Sequence, residues 1–282
     1  MRRLSIFAVL ALLLAGCSAP TKSQDGDLRI IAAAAGAAEI LNEIGLSEAV
    51  VGVDERNSKA SKAQVVTSGH TFNFEQVVGL APTHVIIDSL TDSTEVRNQF
   101  KKSGLQIIEL PTAESINQIY DKYEILGKAF AKLDEAQSAS NALRAKFDEF
   151  KVSNRSFRIA FLYLRGTNAI YFVGGKSSGA DSLIEAVGSI DVGAQQLENP
   201  FSPLTAEVMR KLNPEVLLLM NNGFESVGGL AGLKSLPGLS GTTAVKNGNI
   251  VLIDDRELLD FGPETINVLK QIQEQLKAFN AA

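Results

Sequence analysis

Apolar residues recur at steps of three and four in the middle of the chain, and no proline interrupts them. This spacing predicts amphipathic helix over residues 114–151. Gly127 is expected to divide the helix, because glycine costs a helix interior roughly 1 kcal/mol relative to alanine. The longer piece, residues 128–150, would extend roughly 33 Å at ~1.5 Å per residue. We interpret residues 113–151 as a helical segment that contains a rigid linking helix between two lobes.

The sequence on each side of this segment follows one pattern. A strand-like run at residues 29–34 leads through small residues into a helix at 37–45 that ends at a glycine. Beyond the segment, strand-like runs at 159–164 and 169–173 lead through a glycine-rich loop into a helix at 180–188, again ending at a glycine. The two flanks therefore look like two copies of one unit.

A second correspondence between the flanks is closer. Residues 75–87 align without gaps on residues 207–219, and each segment predicts a short helix led by a glutamate, a proline and then a buried strand. The pattern predicts an α/β fold with two lobes, residues 28–112 and 152–282, each a parallel or mixed sheet covered by helices. Strand ends and small-residue loops would then converge on a cleft between the lobes, which is the expected binding site.

The start of the chain predicts export. Residues 1–16 combine a basic start, a short apolar core and small residues before Cys17, which is the only cysteine. The apolar run is short for a membrane span, which needs about 20 residues. We interpret residues 1–16 as a signal peptide, Cys17 as a lipid-attachment site and residues 17–27 as a lipidated tether; a chance cysteine is the alternative. The net charge of −5 argues against a nucleic-acid partner.

The chain resembles the periplasmic binding lipoproteins that feed iron-siderophore, cobalamin and haem ABC importers. The resemblance covers essentially the whole mature chain and rests on the stretch before Cys17, the opening at residues 29–54, the glutamate-to-proline repeats and the linking helix. Two glycine-rich stretches, residues 175–188 and 223–238, and the Asp-Phe-Gly-Pro at 260–263 resemble the haem-binding branch.

This resemblance implies a class III substrate-binding-protein fold, in which a long backbone helix joins the two lobes. It implies a non-enzymatic, monomeric protein that captures haem in the interlobe cleft and delivers it to an ABC permease dimer with its ATPase. A ferric siderophore or a cobalamin is the alternative cargo. The lipid on Cys17 would hold the protein on the outer face of the bacterial cytoplasmic membrane.

The resemblance also indicates residues that would bind haem iron. In haem-binding relatives the loop before the first glutamate helix carries an iron ligand, commonly tyrosine and in some branches histidine, and that position is His70 here. Some relatives pair it with a tyrosine-x-arginine from the other lobe, which Tyr163 and Arg165 match. An exposed loop histidine and a half-buried strand tyrosine are the plainer interpretations. Phe72 is expected to cover the flat ligand, and Tyr171 is the reserve ligand.

The chemistry of these residue types fits ferric iron. Strand alternation sends Tyr163 and Arg165 to the same side. Ferric iron is a hard acid that suits a phenolate, and a nearby guanidinium favours the charged phenolate and can donate a hydrogen bond to it. The second histidine, His84, begins a predicted strand and is interpreted as structural. With only two histidines, a zinc or manganese site of three or four ligands would be hard to assemble.

The glycine-rich loop at residues 174–179 admits three interpretations. A phosphate-binding loop would need glycine in place of Ile170. A hydrolase serine within Gly-x-Ser-x-Gly would need a histidine later in the chain, and none follows His84. The third is a helix N-terminus that, with Lys176, suits an anionic group such as a haem propionate.

Glu75 and Glu207 occupy matching positions on the two lobes. As acids at helix starts they could simply interact with the helix dipole, worth roughly 0.3–1 kcal/mol. In the binding-protein family the equivalent glutamates dock on arginines of the two permease subunits. The symmetric placement favours this docking role.

Overall fold

The computed structural model describes residues 28–112, 114–152, 156–258 and 260–279. The signal peptide, Cys17 and the tether predicted above lie outside these residues. The strands are β1 Ile30–Ala33, β2 Val50–Val53, β3 Gln64–Val65, β4 Thr67–Ser68, β5 Thr71–Phe72, β6 His84–Ile87, β7 Gln106–Glu109, β8 Arg158–Arg165, β9 Ile170–Gly174, β10 Ile190–Asp191, β11 Phe201–Pro203, β12 Val216–Met220 and β13 Ile250–Ile253. The helices are α1 Ala37–Glu43, α2 Phe74–Gly79, α3 Thr94–Lys102, α4 Asn117–Ala129, α5 Leu133–Asp148, α6 Ala180–Ala186, α7 Ala206–Leu212, α8 Asn221–Ser226, α9 Gly229–Leu233, α10 Thr243–Asn247 and α11 Thr265–Ala278.

The N-terminal lobe is a parallel sheet with strand order β3-β2-β1-β6-β7. The central strands β1 and β6 are short apolar runs, as expected for strands covered on both faces. Helix α1 follows β1 and ends before Gly45, whose positive φ of 81° suits glycine in the residues after a helix. The predicted strand, loop and helix of this flank are confirmed.

The C-terminal lobe is a mixed sheet with strand order β11-β9-β8-β12-β13. Strands β8, β12 and β13 are parallel, whereas β9 runs antiparallel to both β8 and β11. Helix α6 ends before Gly188, which has φ of 75° and matches the glycine after α1. The predicted class, two α/β lobes with parallel or mixed sheets, is confirmed.

Each sheet buries its two faces against different clusters of apolar side chains. One cluster belongs to the N-terminal lobe and includes Val85 and Phe100, and another belongs to the C-terminal lobe and includes Leu164 and Leu217. A third cluster is shared: it contains residues of both sheets, such as Ile30 and Ile159, and reaches them through α1, α4, α5 and α11. The lobes are thus joined by a continuous core, which we call the shared core.

The linking segment differs from its prediction. Helix α4 runs through Gly127, and the chain turns after Ala129, where Ala131 has φ of 54°. Helix α5 has 16 residues and would extend ~24 Å, so the predicted 128–150 helix is wrong in its start and its length. Gly127 is a packing position: a Cβ atom there would lie 2.6 Å from that of Ala136 on α5. Glycine allows the close approach of α4 and α5.

Helix α4 contacts both lobes along its length. The backbone N–H of Ile116, before its first turn, donates to Ser182 Oγ of the C-terminal lobe at 3.1 Å, and the Tyr123 hydroxyl bonds Glu43 on α1. Among the helices of the described residues, none is both long and apolar enough to cross a membrane.

Candidate ligand-binding site

A cleft of about 960 Å³ lies between the lobes, at the carboxyl ends of the parallel strands of both sheets. Its volume is at the upper end of the range for ligand pockets, ≈ 300–1,000 Å³. Side chains that follow β2, β6 and β7 face those that follow β8, β12 and β13. The lining residues are Glu55, Arg56, Gly69, His70, Leu90, Thr112, Glu114, Tyr163, Arg165, Phe172, Ser177, Ser178, Pro200, Phe201, Met220, Asn221, Asn222, Glu225, Asp254, Asp255, Arg256, Asp260 and Phe261.

His70 enters the cleft from the N-terminal lobe. It lies at the turn of a small hairpin formed by the two-residue strands β4 and β5, where Gly69 has φ of 57°. The side chain is exposed and lines the cleft. The imidazole is therefore available to a ligand between the lobes.

Tyr163 and Arg165 enter from the opposite lobe, and both line the cleft as strand alternation predicts. The guanidinium carbon of Arg165 lies 4.6 Å from the centroid of the Tyr163 ring, which is a cation–π arrangement. Nη1 donates to the Leu164 carbonyl at 2.9 Å and lies 3.4 Å from Asp255 Oδ1. Arg165 thus lies over the phenol ring and also forms an ion pair with Asp255.

Aromatic side chains form the wall around Tyr163. Phe172 is its partner across β8 and β9, and the ring centroid of Phe201 lies 5.9 Å from Tyr163 and 6.5 Å from Phe172. Phe201 is 39% exposed, which is high for a phenylalanine. The sequence analysis missed both phenylalanines; the register of β9 against β8 is what identifies Phe172.

Tyr171 and Phe72 lie away from the cleft, contrary to their predicted roles. Tyr171 pairs with Leu164, so it faces the core cluster of the C-terminal lobe on the opposite side of the sheet from Tyr163. Phe72 is 5% exposed and packs edge-on against Phe100, with 5.0 Å between ring centroids. Because each side chain packs into a core, Phe72 cannot cover a ligand in the cleft and Tyr171 cannot serve as the reserve iron ligand.

The glycine-rich loop before α6 is largely hydrogen-bonded within the protein. Four consecutive backbone N–H groups, those of residues 175–178, already donate to acceptors within the protein. Lys176 does not line the cleft, and its Nζ lies 3.8 Å from Glu198. From this loop, Ser177 and Ser178 line the cleft.

The floor of the cleft contains a buried ion-pair group that the sequence analysis did not identify. Arg56 bonds Asp54 at 2.7 Å and Asp88 at 2.8 Å, and both carboxylates are almost fully buried. Burial alone would raise the pKa of Asp88, but the charge and hydrogen bond of Arg56 hold it below its usual value. Asp88 accepts from the backbone N–H of Ala35 and Arg56 donates to the carbonyl of Ala33, so these two side chains fix the end of β1 and the loop that follows it. Asp54 accepts from the backbone N–H of Asn57.

Arg256 belongs to the C-terminal wall and pairs with Asp254 at 3.2 Å. The hydrogen bond from Arg256 lowers the pKa of Asp254 to about 2. Arg56, Arg165 and Arg256 are the arginines that line the cleft within the described residues, and each has a carboxylate partner. Among the described residues, every arginine that lines the cleft is therefore paired with a carboxylate.

The remaining predicted residues lie outside the cleft. Glu75 and Glu207 are exposed in the first turns of α2 and α7, where each can interact with its helix dipole and is accessible to a partner. His84 lies 2.8 Å from Thr83 Oγ1 and packs edge-on against Phe130, and burial lowers its pKa. This environment agrees with a structural role. Among the described residues, no group of three or more histidine, aspartate or glutamate side chains could hold a metal ion.

Comparison with known proteins identifies the family. The sequence profile of periplasmic binding proteins matches residues 30–257. The chain belongs to the periplasmic binding protein family. This periplasmic binding protein is a substrate-binding component of transport and not an enzyme. It is similar to the uncharacterised ABC transporter substrate-binding lipoprotein YvrC of Bacillus subtilis strain 168, with 21% identity over 247 residues that cover 84% of this chain and 76% of YvrC.

Solved structures agree with this assignment. The periplasmic binding protein is similar to the periplasmic haem-binding protein RhuT from Roseiflexus sp. RS-1 in apo form, with a TM-score of 0.78 and 27% identity over 88% of this chain and 97% of that one. It is also similar to the haem-binding protein HmuT, with a TM-score of 0.77 and 28% identity over 88% of this chain and 84% of that one. The resemblance stated from the sequence is confirmed at the level of fold and family.

Proposed function

We propose that this periplasmic binding protein captures haem in the cleft, with His70 and Tyr163 as ligands of the iron. The observation that carries the proposal is that a histidine from one lobe and a tyrosine from the other line the same cleft. An imidazole nitrogen and a phenolate oxygen both suit ferric iron, and both occur as haem ligands in proteins. No other histidine in the sequence competes for the role except His84, which is packed against Phe130.

The wall around Tyr163 supports a flat, apolar ligand. Phe172, Phe201 and Met220 line the cleft beside the tyrosine, and Leu90 lines it from the other lobe. Aromatic and aliphatic side chains on both walls can bury the faces of a macrocycle, while the few polar groups fix its orientation. Phe201 replaces Phe72 as the residue proposed to cover the ligand.

The relatives support the same ligand. RhuT and HmuT are described as haem-binding proteins, and separate structures of HmuT carry alanine in place of a histidine, of a tyrosine, or of the arginine two positions after that tyrosine. Tyr163 and Arg165 have the same spacing in this chain. We propose that Arg165 assists the phenolate of Tyr163 from its place over the ring.

An anionic ferric siderophore fits this cleft less well. Such a ligand needs cationic side chains that are free to neutralise it, and each of the cleft arginines in the described residues pairs with a carboxylate. Haem needs fewer cationic partners, because its two propionates are its only anionic side groups. The binding experiment below also tests the corrinoid alternative, since absence of haem binding would favour it.

We propose that the protein delivers haem to an ABC permease dimer with its ATPase, as a monomer held by a lipid on Cys17 at the outer face of the cytoplasmic membrane. Glu75 and Glu207 are exposed on separate lobes, as docking on two permease subunits requires. Charge reversal at both positions should abolish import and leave ligand binding intact. Normal import by the double variant would remove the docking proposal.

The decisive experiment is a visible-absorption titration of the mature protein, with Cys17 removed, against ferric haem. We expect saturation at one haem per protein, and a changed spectrum for both His70→Ala and Tyr163→Phe. Tyr171→Phe and His84→Ala are the matched controls, since they change the same residue types away from the cleft. A spectrum unchanged by both cleft variants would contradict the ligand assignment, and absence of binding would return the cargo to a siderophore or a corrinoid.

A further inference from the structure

Loops from opposite lobes touch through their backbones beside the cleft. Gly36 follows β1 and Gly262 follows β13, and a Cβ atom added to Gly36 would lie 2.7 Å from the Gly262 Cα atom. A Cβ atom added to Gly262 would lie 2.8 Å from the Gly36 Cα atom and 2.6 Å from Glu39 Oε2. Such distances leave no room for a side chain, so this contact fixes how closely the two loops approach.

Lys122 of helix α4 bridges the same two loops. Its Nζ donates to the carbonyl oxygens of Ala35 and Phe261, both at 2.8 Å, and lies 3.5 Å from the carbonyl oxygen of Asp260. The side chain is completely buried, with 0% exposure. One ammonium group from the linking segment therefore bonds a backbone carbonyl of each lobe; we call Lys122 with these two loops the clasp.

Burying an ammonium group does not by itself add much to the stability of a protein. Removing it from water is costly, and apolar residues of similar size often stabilise such sites better. The lysine contributes directional hydrogen bonds, because its N–H groups must point at carbonyl oxygens that occupy defined positions. The clasp thus specifies one arrangement of the two loops rather than a general attraction between the lobes.

The clasped loops continue directly into the two walls of the cleft. On one side, the N–H of Ala35 donates to Asp88 at 3.0 Å, and Asp88 holds Arg56 in the cleft floor. On the other side, Asp260 and Phe261 themselves line the cleft. A change in the separation of these loops would change the separation of the walls.

We propose that Lys122 is a positioning residue that sets the distance between the cleft walls before a ligand arrives. The wall that carries His70 and the wall that carries Tyr163 would then be held apart by a fixed amount, which preorganises the pair. The effect on ligand affinity rests on the proposed function, whereas the effect on wall separation does not.

The experiment measures the distance between the lobes in the ligand-free protein. Spin labels are attached to cysteines introduced at the exposed positions Lys101 on α3 and Lys246 on α10, in the mature chain without Cys17. We expect Lys122→Met to broaden or shift the distance distribution. Lys128→Met is the matched control on the same helix, because the Lys128 side chain is exposed and pairs with Glu124; it should leave the distribution unchanged.

A second variant perturbs the clasp by sterics instead of hydrogen bonding. Gly262→Ala should lengthen the interlobe distance, since the new methyl group meets the Gly36 backbone. If Lys122→Met fails to fold, this variant tests whether the clasp sets the distance between the lobes. An unchanged distribution in the folded variants would overturn the proposal.

Ferric haem then serves as the probe for affinity, and we expect Lys122→Met to weaken its binding about tenfold. A changed distance together with unchanged haem affinity would overturn the preorganising role. If neither the native protein nor the variants bind haem, the proposed function fails, while the distance measurement still decides whether Lys122 sets the wall separation.

Discussion

Glu39 provides a sharp test of the electrostatics where the lobes meet. It lies on α1 beside the contact between the two lobes, and its Oε2 atom is buried with no hydrogen-bond partner among the described residues. Burial, reinforced by the nearby carboxylates of Asp260 and Glu264, raises the pKa of Glu39 to about 8. Glu39→Gln keeps the size of the side chain and removes its ability to ionise.

The direction of the effect follows from the raised pKa. Below the ordinary pKa of 4.5, the carboxyl is neutral in the folded and the unfolded chain. As pH rises from there to the folded value of about 8, the unfolded chain ionises first, so the free energy of unfolding falls. At about pH 7 the loss would be about 3 kcal/mol for a fully buried group, since one pKa unit corresponds to about 1.4 kcal/mol.

The expected effect is smaller, because Glu39 also lines a cavity of about 460 Å³. We therefore expect Glu39→Gln to raise the free energy of unfolding by about 2 kcal/mol at about pH 7, and by less than about 1 kcal/mol at about pH 5. Urea unfolding followed by circular dichroism at both pH values measures this, with the exposed Glu48→Gln as control. An equal gain at both pH values, or a loss at the higher one, would refute the reasoning.

Other predictions address packing and the cleft. Gly127→Ala should lower the free energy of unfolding by about 1–3 kcal/mol, because the clash with α5 outweighs the helix propensity gained, whereas Gly79→Ala, with open space around it, should not; thermal unfolding compares them. Arg165→Gln should weaken haem binding roughly tenfold in the absorption titration. Phe201→Ala should weaken haem binding with little loss of stability, whereas the buried Phe100→Ala should cost about 3–5 kcal/mol in urea unfolding; similar stability losses for both would contradict the cleft role of Phe201.

Local signals in the sequence were sufficient for much of the fold. The glycines after α1 and α6, Gly45 and Gly188, do adopt the positive φ that ends a helix. Strand alternation correctly sent Tyr163 and Arg165 to one side of β8. These features depend on residues close together in the chain, which is why periodicity and turn residues reveal them.

Features that depend on pairing between distant segments were not predictable in this way. Glycine is typical of a helix break, but Gly127 instead allows α5 to pack closely against α4. The sequence does not indicate where α5 lies. Tyr171 and Phe172 are neighbours, and only the register of β9 against β8 decides which one faces the cleft. Lys122 sits in an ordinary amphipathic pattern, and nothing local indicates that its Nζ meets carbonyls of both lobes.

The two proposed iron ligands are supported by parts of the protein that differ in stiffness. Tyr163 lies on β8, the longest strand of the described residues, which hydrogen-bonds β9 and β12 along most of its length and packs into the shared core. His70 lies on a hairpin of two-residue strands that attaches to its lobe through the buried Phe72. Small, exposed hairpins open and move at lower cost than central strands. Adjustment to a ligand is therefore expected to come from the His70 hairpin, with Tyr163 as the fixed partner and the shared core undisturbed.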